Sequence, residues 1–372
     1  MKRKLRVGIL FGGKSGEHEV SLASALSAID ALDKQKYEPV LIGIDKQGRW
    51  LAGGETLKQL SGGAAADSPD GGNAGANESL PVLSHLAPPV NRRSADNHRS
   101  PLNGVDAVFQ ILHGPLGEDG TVQGLLELAD IPYVGAGVAA SALGMDKELM
   151  KTVFLAHGLP VPRFLVCKRR DWDADPDAVV RMIEAQLPYP VFVKPANLGS
   201  SVGVSKAHDC EELRAGIRLA CAYDRKTLIE QALDAREVEC SVLGNDDPLV
   251  SAVGEVRTRR REFYDYIAKY TDGEADLIIP ADLPPDKAEE VRVLALKAYR
   301  AIDCAGMARA DFFVERETGK VYVNELNTIP GFTRFSMYPK LWEASGLSYP
   351  ELIDRLIVLA LQRYADKKRS GL

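Results

Sequence analysis

Short apolar segments alternate with amphipathic ones along the first third of the chain, and this alternation constrains the fold more than any other feature. Leu5–Phe11 is an apolar run that ends in glycines, and Ser21–Leu32 follows with apolar residues at helical spacing. Two further apolar runs, Pro39–Ile44 and Val105–Leu112, precede a helix predicted over Thr121–Ala129. Strands that alternate with helices predict a parallel α/β sheet, which binds ligands at the carboxyl ends of its strands.

A low-complexity insertion interrupts this pattern. Ser61–Ser79 contains nothing more apolar than alanine, and the sequence stays polar and proline-rich to about residue 101. Such a composition cannot offset the entropy of ordering by burying apolar surface. We expect residues 61–101 to be an insertion that contributes little to core or catalysis, with a functional loop as the alternative.

The remaining two thirds of the chain predict an α+β unit. Helices are expected at 140–157, 177–187, 211–223, 285–303 and 349–364. Strands are expected between them, at 163–167, 190–194, 227–231, 237–243, 249–256, 308–314 and 321–326. We therefore expect three domains, a parallel α/β domain over 1–134 that binds substrate, a central domain over 135–229 and a C-terminal domain over 230–372.

Composition excludes several classes of function. A net charge of −6 over 372 residues, without a dense stripe of Lys and Arg, argues against a general nucleic-acid binder. The longest apolar runs fall short of the ~18–20 residues that span a bilayer, and the first of them is too short for the core of a signal peptide. Five cysteines without a C-x-x-C pair are typical of reduced thiols. We expect a soluble, cytoplasmic enzyme.

The segment Gly8–Ser15 matches the P-loop pattern G-x-x-x-x-G-K-[ST]. In a P-loop, the residues after the first glycine present backbone N–H groups to phosphate. Here Gly8 lies within a predicted strand, so the apolar Ile9–Phe11 would occupy the phosphate loop, although burial suits them better. We interpret the segment as a strand-to-helix turn that places Glu17 at a helix N-terminus. There a carboxylate either pairs with the helix dipole or recognises a substrate ammonium.

A lysine and a flexible loop indicate a nucleotide phosphate site. Lys194 leaves a predicted strand, and the Gly/Ser loop Gly199–Gly203 follows it. Such a loop supplies N–H donors to a triphosphate and the lysine supplies a positive charge. A surface hairpin is the alternative.

Hard oxygen ligands lie on the last two predicted strands. Asp311 is on the first, and Glu325 and Asn327 are on the second, two residues apart and therefore on one face. Oxygen ligands without histidine are typical of Mg²⁺. The alternative, a solvated acidic face, is disfavoured by the apolar residues that flank all three.

Six motifs in order resemble those of the D-alanine–D-alanine ligases, a family of the ATP-grasp superfamily. They are Gly12–Ser21, His113–Gly120, Met145–Lys147, Lys194–Gly203, Glu262–Tyr270 and Asn324–Gly331. The resemblance implies an N-terminal parallel α/β domain followed by a two-lobed ATP-grasp unit. It implies that ATP joins two D-alanine molecules through a D-alanyl phosphate, releasing ADP and phosphate, for peptidoglycan synthesis. It further implies two Mg²⁺ ions, which Mn²⁺ can replace, and a homodimer with no nucleic-acid or membrane partner.

The resemblance also implies roles for individual residues. The D-alanines would be bound by Glu17, His113, Arg309 and Ser336. Catalysis would involve Glu17, Ser200, Tyr270, Arg309 and Gly331. ATP would be bound by Lys147, Lys194, Glu230, Ala232, Leu233, Glu237, Lys269 and Asn324, although the family often has an aromatic residue in place of Ala232. The metal ions would be bound by Asp311, Glu325 and Asn327.

The polar, tyrosine-rich stretch 257–276 would be a lid that keeps water from the acyl phosphate, with an ordinary exposed loop as the alternative. Its Tyr270 favours the dipeptide as product, because related ligases that make D-alanyl-D-lactate or D-alanyl-D-serine lack this tyrosine. Three other functions compete with this one. They are ligation of D-alanine to D-lactate or another D-amino acid, a P-loop kinase that uses Lys14, and a non-catalytic ATP-binding protein.

Overall fold

The computed structural model describes residues 3–53, 56–61, 102–258 and 275–370. The predicted insertion, apart from Ser61, and residues 259–274 of the predicted lid, with Lys269 and Tyr270, lie outside the described residues. Within the described ranges, no helix is both long enough and apolar enough to cross a membrane.

The first sheet has the parallel core that the strand–helix alternation predicts. Its strand order is β3-β2-β1-β4, and β1 is parallel to both β2 and β4, whereas β3 is an antiparallel edge strand. The strands are β1 (Leu5–Gly12), β2 (Tyr37–Ile44), β3 (Trp50–Ala52) and β4 (Ala107–Ile111). The helices that accompany them are α1 (His18–Ala31), α2 (Thr56–Ser61) and α3 (Thr121–Leu128).

The centre of strand β1 is too deeply buried to act as a phosphate loop. Gly8 lies inside the strand, and the side chains of Ile9, Leu10 and Phe11 are fully buried. The strand ends where Gly12 adopts φ 93°, and a Cβ atom there would lie 2.2 Å from the carbonyl oxygen of Ile44. The glycines therefore form the strand-to-helix turn predicted from the sequence.

Two antiparallel sheets follow. The central sheet has the order β5-β8-β6-β7, and the C-terminal sheet has the order β11-β10-β9-β12-β13. The central strands are β5 (Phe164–Lys168), β6 (Val191–Pro195), β7 (Ser205–Ala207) and β8 (Lys226–Gln231). The C-terminal strands are β9 (Ala235–Gly244), β10 (Leu249–Thr258), β11 (Ala275–Ile278), β12 (Gly306–Glu315) and β13 (Val321–Asn327). A parallel α/β sheet followed by two antiparallel α+β sheets confirms the predicted fold class.

The helices of these two parts correct one prediction. They are α4 (Val138–Met145), α5 (Lys147–Ala156), α6 (Arg169–Ala174), α7 (Pro176–Glu184), α8 (Cys210–Tyr223), α9 (Pro285–Ala301), α10 (Met337–Ala344) and α11 (Tyr349–Arg369). The single helix expected over 140–157 is wrong, because Asp146 is extended and its side chain accepts hydrogen bonds from the backbone N–H groups of Glu148 and Leu149. This cap starts a new helix and places Lys147 at its first position.

The hydrophobic cores tie distant parts of the chain together. Ile9 and Phe11 of the first sheet share a core with Leu352 and Leu356 of the last helix, α11. Phe154 of α5 lies in the core of the C-terminal sheet, whereas the central sheet has a core of its own. The boundaries of the three expected domains, at 134 and 229, stay a prediction.

Candidate active site

A cleft of about 1140 Å³ lies between the loops that follow β1 and β4 and the strands of the two antiparallel sheets. Every predicted site residue that the structure describes lines it. These residues are Glu17, His113, Lys147, Lys194, Ser200, Glu230, Ala232, Leu233, Glu237, Arg309, Asp311, Asn324, Glu325, Asn327, Gly331 and Ser336. The cleft therefore adjoins the carboxyl ends of the parallel strands, where such sheets bind ligands.

Glu17 and the Gly/Ser loop meet at one end of the cleft. Glu17 is the residue just before α1, and the hydroxyl of Ser200 donates a hydrogen bond to its carboxylate. Ser200 and Ser201 have φ values of 50° and 56°, a left-handed backbone conformation that residues other than glycine rarely adopt. A Cβ atom on Gly199 would lie 3.1 Å from the Glu17 carboxylate, so the loop passes very close to it. The structure thus brings into contact two of the predicted catalytic residues, Glu17 and Ser200.

His113 lies beside Glu17 in a fixed orientation. Its Nδ1 atom donates a hydrogen bond of 3.1 Å to the carbonyl oxygen of Ile329. The buried Nε2 atom has no hydrogen-bond partner within the described part of the chain. Burial lowers the pKa of His113, and the nearby Glu17 carboxylate only partly opposes this shift. A neutral imidazole whose Nε2 can accept a hydrogen bond suits a substrate ammonium.

Glu118 is a second glutamate at this end of the cleft, and sequence reasoning gave it no role. Its carboxyl group accepts a hydrogen bond of 2.6 Å from the backbone N–H of Gly114. Burial, together with the negative charge of Glu17, raises the pKa of Glu118 to about 8. Its place in the His113–Gly120 motif was the only sequence signal for it.

The strand end of the cleft is built on paired strands, and its Arg309 is close enough to His113 that, besides burial, the positive charge lowers the pKa of that histidine. Arg309 of β12 lies opposite Asn327 of β13, and Asp311 lies opposite Glu325. Arg309 donates from Nε and Nη2 to the two oxygens of Asp311, at 2.7 and 2.6 Å. The amide of Asn327 donates to the same carboxylate at 3.0 Å. The register of one strand pair therefore places the predicted metal ligands and the predicted catalytic arginine side by side.

These side chains suit a magnesium ion. Asp311 and Glu325 face each other across neighbouring strands. Their like charges repel each other, so this arrangement is unfavourable unless a cation lies nearby. Asn327 adds an amide oxygen, so the donors are all hard oxygens, as Mg²⁺ prefers. The Nζ atom of Lys147 lies 4.0 Å from Glu325, so a positive charge already adjoins the pair. Within the described ranges, no three His, Cys, Asp or Glu side chains form a metal-binding group by themselves.

Two lysines hold a buried glutamate in the same cleft. Lys194 donates to one oxygen of Glu230 at 2.6 Å, and the Nζ atom of Lys151 lies 2.7 Å from the other. Lys151 is 1% exposed and also donates to the backbone oxygen of Asn324 at 2.8 Å. Burial alone would raise the pKa of Glu230, but the two lysines hold it below its ordinary value. Lys151, which sequence reasoning missed, therefore links the central sheet to strand β13.

The remaining predicted residues lie along the same cleft. Ala232 and Leu233 follow β8, and Glu237 lies on β9. Ser336 immediately precedes α10 and accepts a hydrogen bond from the N–H of Thr333 at 3.1 Å. A Cβ atom on Gly331 would lie 3.1 Å from the Ser336 hydroxyl, so the predicted catalytic glycine and the predicted substrate-binding serine are neighbours.

Two family models match the chain. The D-ala D-ala ligase N-terminus matches residues 6–136, and the D-ala D-ala ligase C-terminus matches residues 153–358. The chain belongs to the D-alanine–D-alanine ligase family. The predicted family and the two-lobed ATP-grasp architecture are thereby confirmed.

Relatives of similar length support the assignment to the family. The D-alanine–D-alanine ligase of Thermoanaerobacter sp. strain X514 is 52% identical over 371 residues, which cover 98% of this chain and 99% of that protein. The enzyme of that name from Acetivibrio thermocellus is 49% identical over 372 residues and 98% of both chains.

Two solved structures are also similar. The D-alanine-D-alanine ligase from Coxiella burnetii has a TM-score of 0.79 and 35% identity, over 98% of this chain and 96% of that one. The VanG D-Ala:D-Ser ligase from Enterococcus faecalis also has a TM-score of 0.79, with 33% identity over 96% of this chain and 100% of that one. Ligases named for different second substrates therefore share this fold.

Proposed function

We propose that this member of the D-alanine–D-alanine ligase family joins two D-alanine molecules to D-alanyl-D-alanine at the expense of ATP, for peptidoglycan synthesis. One observation carries the proposal. A single cleft holds both the Glu17–Ser200 contact, suited to an amino-acid ammonium, and the Arg309–Asp311 pair, suited to phosphoryl transfer.

The first D-alanine would bind at the Glu17 end. Its ammonium would pair with the Glu17 carboxylate, which Ser200 holds in place, and donate to the neutral His113. Its carboxylate would then point toward the nucleotide. The carboxyl group of Glu118, with its raised pKa, would stay protonated at neutral pH and so add no second negative charge beside Glu17.

ATP would lie across the two antiparallel sheets. Lys147 and Lys194, each less than 15% exposed, would neutralise its phosphates. Adenine and ribose would bind along Glu230, Ala232, Leu233, Glu237 and Asn324, with Glu237 suited to the ribose hydroxyls. Asp311, Glu325 and Asn327 would hold Mg²⁺ or Mn²⁺, which supplies positive charge to the phosphate oxygens.

The reaction would take two steps. A carboxylate oxygen of the first D-alanine attacks the γ-phosphorus of ATP, ADP leaves, and an acyl phosphate forms. The amine of the second D-alanine, having lost a proton, then attacks the carbonyl carbon, and the tetrahedral intermediate expels phosphate to leave the peptide bond. Arg309 would stabilise both the transferring phosphoryl group and the oxyanion, with help from the N–H of Gly331. Ser336 would bind the carboxylate of the second D-alanine.

Predicted lid residues complete the proposal. Tyr270 would join Glu17 and Ser200, and Lys269 would reach the γ-phosphate. Both belong to a lid over 257–276 that keeps water from the acyl phosphate. We further propose that the enzyme is a cytoplasmic homodimer. Light scattering that gives a mass near the 40.4 kDa of one chain would contradict the dimer.

ADP release with and without D-alanine tests the proposed function. We expect ADP release to require D-alanine. ADP release at the same rate without D-alanine would contradict the proposal. A P-loop kinase makes a different prediction, because it depends on Lys14, an exposed residue outside the cleft lining. We expect Lys14→Ala to keep wild-type turnover and Lys194→Ala to lose it.

The second substrate needs a separate test, because the VanG D-Ala:D-Ser ligase shares the fold. We expect D-alanyl-D-alanine to be the main product when D-alanine competes with equal D-serine or D-lactate at neutral pH. Mainly D-alanyl-D-serine or D-alanyl-D-lactate would favour ligation to a different second substrate.

A further inference from the structure

Glu239 is a buried carboxylate in the cleft to which neither the sequence motifs nor the proposed reaction gives a role. It lies on β9 with 5% exposure, and its register partner on β12 is Asp311. Its Oε2 atom lies 2.9 Å from Nε of Arg309. A buried charge is costly unless a partner compensates it, and Arg309 supplies that partner.

The contacts of Arg309 show what Glu239 does to the guanidinium. Nε and Nη2 both donate to Asp311, whereas Oε2 of Glu239 lies 2.9 Å from Nε as an ion pair without a hydrogen bond. The described part of the chain offers no hydrogen-bond partner to Nη1. Asp311 therefore fixes one edge of the planar group by hydrogen bonds, Glu239 adds a second negative charge beside Nε, and Nη1 lies on the opposite side.

Asp311 cannot keep all of its hydrogen bonds with Arg309 and also bind a metal ion. Both of its oxygens accept hydrogen bonds from Arg309, and one also accepts from Asn327. As a metal ligand, Asp311 would have to share or give up these contacts. Glu239 would then be the remaining carboxylate that holds the arginine at the reaction centre.

We propose that Glu239 is a positioning residue that orients the Arg309 guanidinium for phosphoryl transfer while Asp311 serves the metal ion, an inference that rests on the proposed function. A third metal ligand is the competing role. It is disfavoured because Glu239, Asp311 and Glu325 do not form a metal-binding group in the described part of the chain.

Glu239→Gln tests the proposal, because the amide keeps the shape and removes the charge. We expect kcat to fall roughly 10- to 100-fold, as for other residues that orient a catalytic group, while the KM for ATP changes less than about twofold. The Kd of Mg²⁺–ATP, measured by calorimetry without D-alanine, should also stay within about twofold of the wild type. Glu290→Gln is the matched control. It removes a carboxylate that is 41% exposed, pairs with Lys287 on α9 and lies outside the cleft lining, and we expect wild-type kinetics.

A double-mutant cycle separates positioning from a general structural role. In an Arg309→Ala background, we expect Glu239→Gln to lower kcat by less than about twofold further, because the group it positions is gone. Multiplicative losses would overturn the proposal, as would a single variant with wild-type kcat. A tenfold rise in the Mg²⁺ concentration needed for half-maximal activity would instead make Glu239 a metal ligand.

Two further measurements keep the outcome clear. Thermal unfolding shows whether Glu239→Gln folds, and if it does not, Glu239→Asp replaces it in the same cycle. The wild-type protein is assayed first for D-alanine-dependent ADP release. Failure there contradicts the proposed function, whereas wild-type activity that Glu239→Gln retains contradicts only the role of Glu239.

Discussion

The two ends of the cleft are built in different ways. At the Glu17 end, side chains come from turns after strands and from the Gly/Ser loop, whose Ser200 and Ser201 are left-handed. At the Arg309 end, the side chains project from β12 and β13, whose ladder fixes which residues face each other. Strand positions are set by many backbone hydrogen bonds, whereas a loop position depends on a few side-chain contacts.

This difference predicts that substitutions at the two ends affect different kinetic constants. Substitutions at the strand end should leave the backbone in place and remove a catalytic side chain, so they should act mainly on kcat. Changes at the loop end should loosen the position of a binding group, so they should act mainly on the KM for D-alanine. The predictions below test this separation.

The largest effect is expected for Arg309→Ala at the strand end. We expect kcat to fall roughly 10³- to 10⁵-fold, because an arginine that stabilises a transferring phosphoryl group contributes about that much. The Kd for ATP should change only modestly. The control is Arg300→Ala, at an exposed position on α9, which should leave kcat unchanged. Near-wild-type turnover of Arg309→Ala would sink the proposed mechanism.

Lys151→Met tests the link between the two antiparallel sheets. Removal of one cation leaves the buried Glu230 with Lys194 alone, so we expect the free energy of unfolding to fall by about 3 kcal/mol and the KM for ATP to rise. Urea denaturation measures the loss. Lys287→Met removes a lysine that is 30% exposed, and it should cost less than about 1 kcal/mol. Equal losses in the two variants would show that Lys151 has no special role.

Ser200→Ala tests the loop end. The variant removes the hydrogen bond to the Glu17 carboxylate, and a hydrogen bond to a charged group contributes about 1.5–3 kcal/mol. We expect a rise of roughly 10-fold or more in the KM for the first D-alanine, with a smaller effect on kcat. Initial rates at varied D-alanine and saturating ATP give both constants. A loss confined to kcat would contradict the proposed difference between the two ends.

A further prediction concerns how stability depends on pH, and it involves Glu118. The pKa of its carboxyl group in the folded protein, about 8, lies above the ordinary value of 4.5, so the folded state holds this proton more tightly. The stability that the proton contributes is complete below the unfolded pKa and is lost as pH rises through the folded one. We therefore expect the wild type to lose stability between pH 5 and 9 relative to Glu118→Gln. Parallel curves of unfolding free energy against pH would contradict the shift.

Local sequence patterns predicted most of the fold. The apolar runs located strands such as β1 and β4, and the burial of Ile9–Phe11 followed from their composition. The helix break at Asp146 was missed because helical spacing continues across it, and a single capping side chain overrides that spacing. Likewise, the short strand β7 carries too few apolar residues to show a period.

The candidate site was predicted where its residues belong to contiguous motifs, and missed where they pair across the chain. Lys151 looks like one more polar residue of a helix until Glu230 packs against it, and Glu239 gains its meaning only beside Arg309. Such pairings depend on which strands become neighbours, and no local pattern in the sequence encodes that. Buried charged pairs are therefore the part of this site that could be recognised only from the structure.

The packing of the last helix against the first sheet has a consequence for synthesis on the ribosome. Ile9 and Phe11 are made long before their core partners Leu352 and Leu356 on α11. At roughly 5–20 residues per second, one face of the nascent sheet waits for many seconds before its covering helix emerges. The first sheet is thus complete as a sequence long before it can be complete as a folded unit, and a chain that stops before α11 would leave that apolar face exposed.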